Sequence, residues 1–275
     1  MRTHCLVGVV HLPALPGSPR SSQPCSVIAA GAAEEARSLQ SAGFDLVLLE
    51  NFGDAPFFAE RVPPVTVSAM TACAVAIREA CPDLPLGINV LRNDAEAALA
   101  IATVVGARCI RVNVHTGARV TDQGIVQGRA AETLRARRAL GADRVAIWGD
   151  VDVKHSAALG ERDPAREAED LVKRGLVDTV LVTGEGTGRS VDDAKLRRVR
   201  EAVPGVPVLV ASGATEDALP KLALLCDGVI VGSALRLDGL AGGAVNRERA
   251  ARFAAAFARC FGGVPRGGPT SPART

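Results

Sequence analysis

Residues 206–238, VPVLVASGATEDALPKLALLCDGVIVGSALRLD, constrain the fold more than any other stretch of this chain. They read as strand, glycine turn, helix, strand, glycine turn. The run 208–211 is short and apolar, the composition of a parallel strand covered on both faces. Ser212-Gly213 breaks it. Thr215 then stands as an N-cap ahead of acidic Glu216 and Asp217, and Leu219, Leu222 and Leu225 recur at helical spacing. Asp227-Gly228 ends that helix, 229–231 is a second buried strand, and Gly232-Ser233 follows at its carboxyl end. Two successive strands that end in small residues let a ligand approach backbone N–H groups, and a short helix starting at the second turn would aim its positive end at an anion. In a (β/α)8 barrel the loops after strands seven and eight are the usual phosphate site. One glycine after a strand is ordinary turn chemistry, whereas two such turns in tandem point to a ligand. Gly232 is expected at a positive φ that would exclude a side chain.

Six further runs of the same kind precede this stretch, at 6–10, 46–49, 86–90, 110–114, 145–153 and 179–182. Helix patterns separate them: one capped by Ser26 and stopped by Gly43, one capped by Thr66, one capped by Asn93 and closed by Gly106, an Arg-rich one over 129–140, one opened by Asp163-Pro164, and one over 191–203. A last helix covers 246–261. Eight buried-type strands alternating with helices predict an α/β chain, a single (β/α)8 TIM barrel over residues 1–262 with a flexible Pro/Gly/Ser tail at 263–275. A doubly wound open sheet fits less well, because G-x-G-x-x-G is absent after the first strand and the Gly-rich stretches come late.

Composition excludes several partners. The formal charge is +2 over 275 residues, and the aromatic content is 3% with no Tyr, which leaves neither a strong field nor stacking platforms for nucleic acid. Seven Cys without a C-x-x-C pair read as buried thiols in a reducing compartment. The run 6–10 is too short for a signal-peptide core, and no apolar run approaches the roughly 20 residues of a spanning helix. A cytoplasmic protein without an integral membrane segment is expected.

The rare polar residues fall at the carboxyl ends of the predicted strands, where barrels carry their sites. DVDVKH, 150–155, is the densest cluster. Alternation along an extended strand would turn Asp150, Asp152 and Lys154 to one side, into the barrel mouth. Together with His155 and Glu50 they form the candidate catalytic set, able to serve as acid and base. The carboxylates could equally hold a divalent cation, Mg or Mn, with Glu50 or His155, and a buried Asp–Lys pair of purely structural use is the third reading. His11, Asn51, Asn89, Arg111 and Asn113 are candidates for substrate binding. Ser212, Gly213, Gly232 and Ser233 are candidates for phosphate, as are Gly184 and Gly186 of TGEGTGRS, 183–190, a stretch that could cradle phosphate or be a flexible turn.

The segments HLPALPGSP, ENFGDAPF, INVLRNDAEAALAIA, IRVNVHTGARVTDQGIVQG, DVDVKH and SGATED…DGVIVGSALRLDG together resemble the BtpA/SgcQ family, over nearly the whole chain from about residue 7 to residue 261. The resemblance implies one (β/α)8 domain of the ribulose-phosphate-binding type and a phosphorylated small molecule as ligand; a homo-oligomer is compatible with it. It brings two associations, photosystem I stability for the founding cyanobacterial member and sugar utilisation for others. It carries no reaction. The expected roles are therefore an enzyme on a phosphorylated sugar or nucleoside, of isomerase, epimerase or lyase type, or a non-catalytic assembly factor. This chain departs from the family pattern at Gly149, where Ala is usual, at Arg236, where Lys is usual, and in the Gly-rich insert 240–244.

Overall fold

Short Val-, Leu- and Ile-rich runs that bury both faces belong to parallel sheets covered by helices, and here the sheet closes into a barrel. The computed structural model, which describes residues 4–160, 162–184 and 191–262, has that architecture. In chain order its strands and α-helices are β1 (Cys5–His11), α1 (Cys25–Ala42), β2 (Leu46–Glu50), α2 (Pro64–Ala80), β3 (Leu86–Asn89), α3 (Ala95–Val105), β4 (Cys109–Val112), β5 (Ala118–Thr121), β6 (Gly124–Gln127), α4 (Ala130–Ala139), β7 (Ala146–Val151), β8 (Ser156–Ala158), α5 (Pro164–Lys173), β9 (Thr179–Val182), α6 (Asp193–Ala202), β10 (Val208–Val210), α7 (Leu219–Leu222), β11 (Gly228–Val231) and α8 (Arg247–Phe261). The barrel closes in the order β1-β11-β10-β9-β7-β4-β3-β2, every pair parallel.

Alternation splits the core in two. Val7, Val9, Leu46, Leu48, Cys109, Trp148, Leu181, Leu209 and Ile230 pack together inside the barrel. Their strand neighbours Leu6, Val10, Val47, Leu49, Ile110, Ile147, Val180, Val208 and Val229 face outward and pack with helix residues such as Leu39, Ile77, Leu99, Leu171 and Phe257. The next inward position beyond the interior cluster is where the site begins.

Several local expectations are corrected. The first two helices begin after prolines, Pro24 and Pro63, instead of at Ser26 and Thr66. The cap of α3 is Asp94, whose Oδ1 accepts from the Ala97 N–H at 3.0 Å. Asn93 has turned away to hold Val114, accepting from its N–H and donating to its carbonyl, both at 2.8 Å. The segment after Ser212-Gly213 is a 3₁₀ turn, Glu216–Ala218, followed by one α-helical turn, α7. Pro220 accounts for the break, since it has no N–H for the carbonyl four residues back. Likewise Gly232-Ser233 leads into a 3₁₀ turn, Ser233–Leu235, not a helix. The predicted loop after the fourth barrel strand contains the hairpin β5–β6, and β8 joins it in a second, antiparallel sheet in the order β6-β5-β8. No described helix is long and apolar enough to cross a membrane.

Candidate functional site

Strand register builds the first layer. His11 pairs with Glu50, Glu50 with Asn89, and Asn89 with Arg111, so four neighbouring strands set one polar residue each at the same level. Asn89 Nδ2 donates to Glu50 Oε2 at 2.6 Å, and His11 Nε2 lies 3.9 Å from Glu50 Oε1. Arg111 pairs in register with Trp148, and Asp150 stands two residues further along β7. The Arg111 guanidinium reaches it through both ends, Nε to Oδ2 at 3.1 Å and Nη2 to Oδ1 at 3.2 Å, and Asn113 Nδ2 adds a third donor at 3.0 Å. Asn89 Oδ1 and Asn113 Oδ1 are buried without a partner among the described residues.

A cavity of about 230 Å³ opens over this layer, lined by His11, Glu50, Arg111 and Lys154 on one side and by Ser212, Gly213, Gly232 and Ser233 on the other. Two of the candidates for chemistry, Glu50 and Lys154, therefore share one space with four of the candidates for phosphate. Positive φ belongs to Gly213, at 74°, and not to Gly232, at −124°. Gly232 is small for another reason: a Cβ there would stand 2.7 Å from His11 Cε1. Gly184 donates its N–H to Ser212 Oγ at 3.0 Å, which ties the turn after β9 to the turn after β10. Gly186 lies outside the described residues.

Three other candidates are placed elsewhere. Asn51 is buried in the fold, where its Oδ1 accepts from the Leu91 N–H at 2.7 Å and its Nδ2 donates to Asp54. Asp152 does not continue the alternation of Asp150, because β7 ends at Val151 and Asp152 takes a φ of 49°. Its carboxylate sits between Arg119 Nη1 at 2.7 Å and Lys195 Nζ at 2.6 Å, and Arg119 also reaches Glu167 at 2.7 Å. It ties the side sheet to α5 and α6. His155, with a φ of 57°, is exposed. Lys154 reaches the cavity because the backbone around it is held on both sides. Thr183 Oγ1 accepts from the Lys154 N–H at 3.1 Å and donates to the Asp152 carbonyl at 3.0 Å, while Arg92 Nη2 donates to the Lys154 carbonyl at 2.8 Å.

Burial sets the protonation states. It would raise the Glu50 carboxyl, but His11, to the extent that its ring is charged, with Arg111, Lys154 and the Asn89 hydrogen bond, outweighs it and holds the group below its usual range. Burial lowers the Lys154 amine, a shift that Glu50 partly opposes. Burial also lowers His11, to about 4. Among the described residues no three His, Cys, Asp or Glu side chains gather as metal donors. The aspartates nominated for a cation are committed to other partners, Asp150 to Arg111 and Asn113, and Asp152 to Arg119 and Lys195.

Sequence reasoning missed the groups that support the layer. Arg236, noted only as a departure from a family pattern, is fully buried and donates to the Val9 carbonyl and to His11. Its position, five residues past the end of β11 and close to a small-residue turn, was the available signal. Thr183, at the carboxyl end of β9, had the same signal.

The pattern of the BtpA family matches residues 2–259, which carry all of these groups. The chain belongs to the BtpA family. It is 43% identical over 253 residues to the photosystem I biogenesis protein BtpA of Synechocystis, covering 92% of this chain and 88% of that protein. It is 44% identical over 250 residues to an uncharacterized protein of Thermococcus kodakarensis, covering 90% of this chain and 93% of that one. Among solved structures, KGPDC from Streptococcus mutans superposes with a TM-score of 0.59 at 14% identity, covering 94% of this chain and all of the other. Phosphoribosyl anthranilate isomerase from Thermus thermophilus superposes with a TM-score of 0.56 at 14% identity, covering 92% and 98%. At that identity the likeness to the BtpA-family chain is one of fold, the (β/α)8 barrel.

Proposed function

We propose that the protein is an enzyme acting on a phosphorylated sugar or nucleoside by acid/base chemistry of the isomerase or epimerase type. One observation carries this reading: Glu50, His11, Arg111 and Lys154 share a single cavity with the small-residue turns after β10 and β11. A phosphate seated against the backbone of Gly213, Gly232 and Ser233 would leave the sugar carbons facing Glu50. Glu50 is the base, since its neighbours keep it ionised and its carboxylate is oriented by Asn89. Lys154 and the His11 ring face the oxygen on which charge develops, and positioned donors there lower the barrier most where water is excluded. Lyase chemistry through a Schiff base at Lys154 is the branch that borohydride trapping would reveal.

A second reading, a non-catalytic assembly factor, is favoured by the name of the Synechocystis relative. The archaeal relative is as similar, so the shared sequence does not itself point to a photosystem. In that reading Glu50→Gln leaves the cellular role intact.

A thermal-shift screen against sugar phosphates and nucleotides, each beside its dephosphorylated counterpart and with or without Mg²⁺ or Mn²⁺, tests the proposal. A ligand at 100 times its Kd stabilises the folded state by about 2.7 kcal/mol, so a phosphorylated ligand should raise Tm by several degrees and its counterpart should not. Ser233→Asp, which adds a negative charge to the cavity wall, should abolish the shift. Gly232 is the poorer probe, because any side chain there displaces the His11 ring. Equal shifts with and without phosphate, or a shift that survives Ser233→Asp, would place the anion site elsewhere.

A further inference from the structure

Two N–H donors converge on one nitrogen of His11. Arg236 Nη2 lies 3.0 Å from Nδ1, and the Gly242 N–H lies 3.4 Å from the same atom. A guanidinium carries donors only and stays protonated at any ordinary pH, so the ring nitrogen facing it must be the acceptor. An imidazole that accepts at Nδ1 and remains neutral carries its single proton on Nε2. Nε2 points to the Glu50 side, 3.9 Å from Oε1, where the cavity lies.

The donor is itself fixed. The same Nη2 donates to the Val9 carbonyl at 2.6 Å, and Nη1 donates to the Gly243 carbonyl at 2.8 Å and pairs with Glu35 Oε1 at 2.7 Å. Arg236 therefore spans β1, α1 and the insert 240–244, and its own carbonyl accepts from Arg249 Nη1 at 2.6 Å. The Phe52 ring lies against His11 with centroids 4.7 Å apart, which limits rotation of the imidazole. So buried an arginine with so many fixed partners offers one arrangement to the ring beside it.

We propose that Arg236 is a positioning residue that holds His11 as the neutral tautomer protonated on Nε2, so that His11 serves the cavity as a hydrogen-bond donor and not as a base. The use of that donor rests on the catalytic reading of the cavity; the tautomer does not. The charged groups that face the ring agree with a neutral imidazole. Burial disfavours a second proton most, Glu50 favours one, and Arg236, Lys154 and Arg111 add to the effect of burial. A neutral N–H donor can polarise a carbonyl or steady an enediolate oxygen without competing with Glu50 for the substrate proton.

The test needs no substrate. In protein labelled with nitrogen-15 at histidine, the His11 signals are identified by their loss in His11→Gln, and long-range proton–nitrogen correlations report each ring nitrogen. The expected result is an unprotonated Nδ1 and a protonated Nε2, unchanged from about pH 5.5 to pH 8. A ring protonated on Nδ1, or an imidazolium within that range, overturns the proposal. To test the cause, Arg236→Met is combined with Glu35→Gln so that no lone buried charge remains. In the double variant the Nδ1–H form should rise to a substantial share, whereas Arg236→Lys, which keeps a cationic donor, should retain Nε2–H. If the double variant folds and its ring still carries the proton only on Nε2, Arg236 is not the positioning group. If it does not fold, Arg236→Lys decides between the outcomes: retention of Nε2–H supports the proposal, while a mixture of tautomers or a ring protonated on Nδ1 overturns it. Failure of any arm would leave the phosphate-binding test above untouched.

Discussion

His11 and Glu50 were both legible as residues, because an apolar strand pattern ends on each of them and a charged or imidazole group has no place inside a barrel except at its mouth. Their states were not legible. The histidine that the structure buries beside Arg236 is held neutral, with a pKa of about 4 against 6.5 for a free ring. Between those values the unfolded chain binds a proton that the folded ring refuses, so folding stability falls as pH drops from 6.5 to 4. The full shift corresponds to at most about 3 kcal/mol. Removing the group by His11→Gln should flatten the acid side of the stability profile by about one proton, read from urea unfolding at a series of pH values; an unchanged slope would mean that the ring titrates normally. Asp152 shows the opposite limit of sequence reading. Strict alternation would place it with Asp150, but a single left-handed residue at the end of β7 turns its carboxylate to Arg119 and Lys195, and nothing in DVDVKH marks that turn.

Elements were easier to find than to bound. The apolar runs located the barrel strands because parallel strands buried on both faces have no polar alternation to blur them. The first three helix starts slipped by one to three residues: α1 and α2 begin after Pro24 and Pro63, and α3 after a contested cap. At α3 the competition is Asn93 against Asp94, and Asp94 wins because the Asn93 amide is needed to hold Val114, just past β4. Asp94 also accepts from the Val62 N–H at 2.8 Å, so it joins the loop before α2 to the start of α3. Asp94→Ala should therefore cost about 1–2 kcal/mol, at the upper end for a lost cap, measured by chemical denaturation. A cost near zero would show that water replaces both bonds. The side sheet β6-β5-β8 could not have been read from the sequence: its strands are three or four residues long and largely exposed, with no apolar period to detect.

At the scale of the molecule, barrel closure decides the site. β1 and β11 are far apart in sequence, yet they pair in register, which brings His11 against Gly232 and sets the turns after β10 and β11 beside the polar layer of β1 to β4. The twin small-residue turns were visible in the sequence, and so were the polar residues; that they enclose one cavity needed the closed sheet. On the proposed reading, this cavity holds a phosphorylated substrate with Glu50 as the base that removes a carbon-bound proton. The most direct measurement is proton NMR of a phosphorylated ligand incubated with the protein in D₂O. Wild-type protein should exchange the proton next to the carbonyl for deuterium. Glu50→Gln should bind the same ligand, as judged by thermal shift, and lose the exchange by about 10²- to 10⁴-fold. Exchange that proceeds equally in Glu50→Gln, or a ligand that binds both proteins and exchanges in neither, would contradict it.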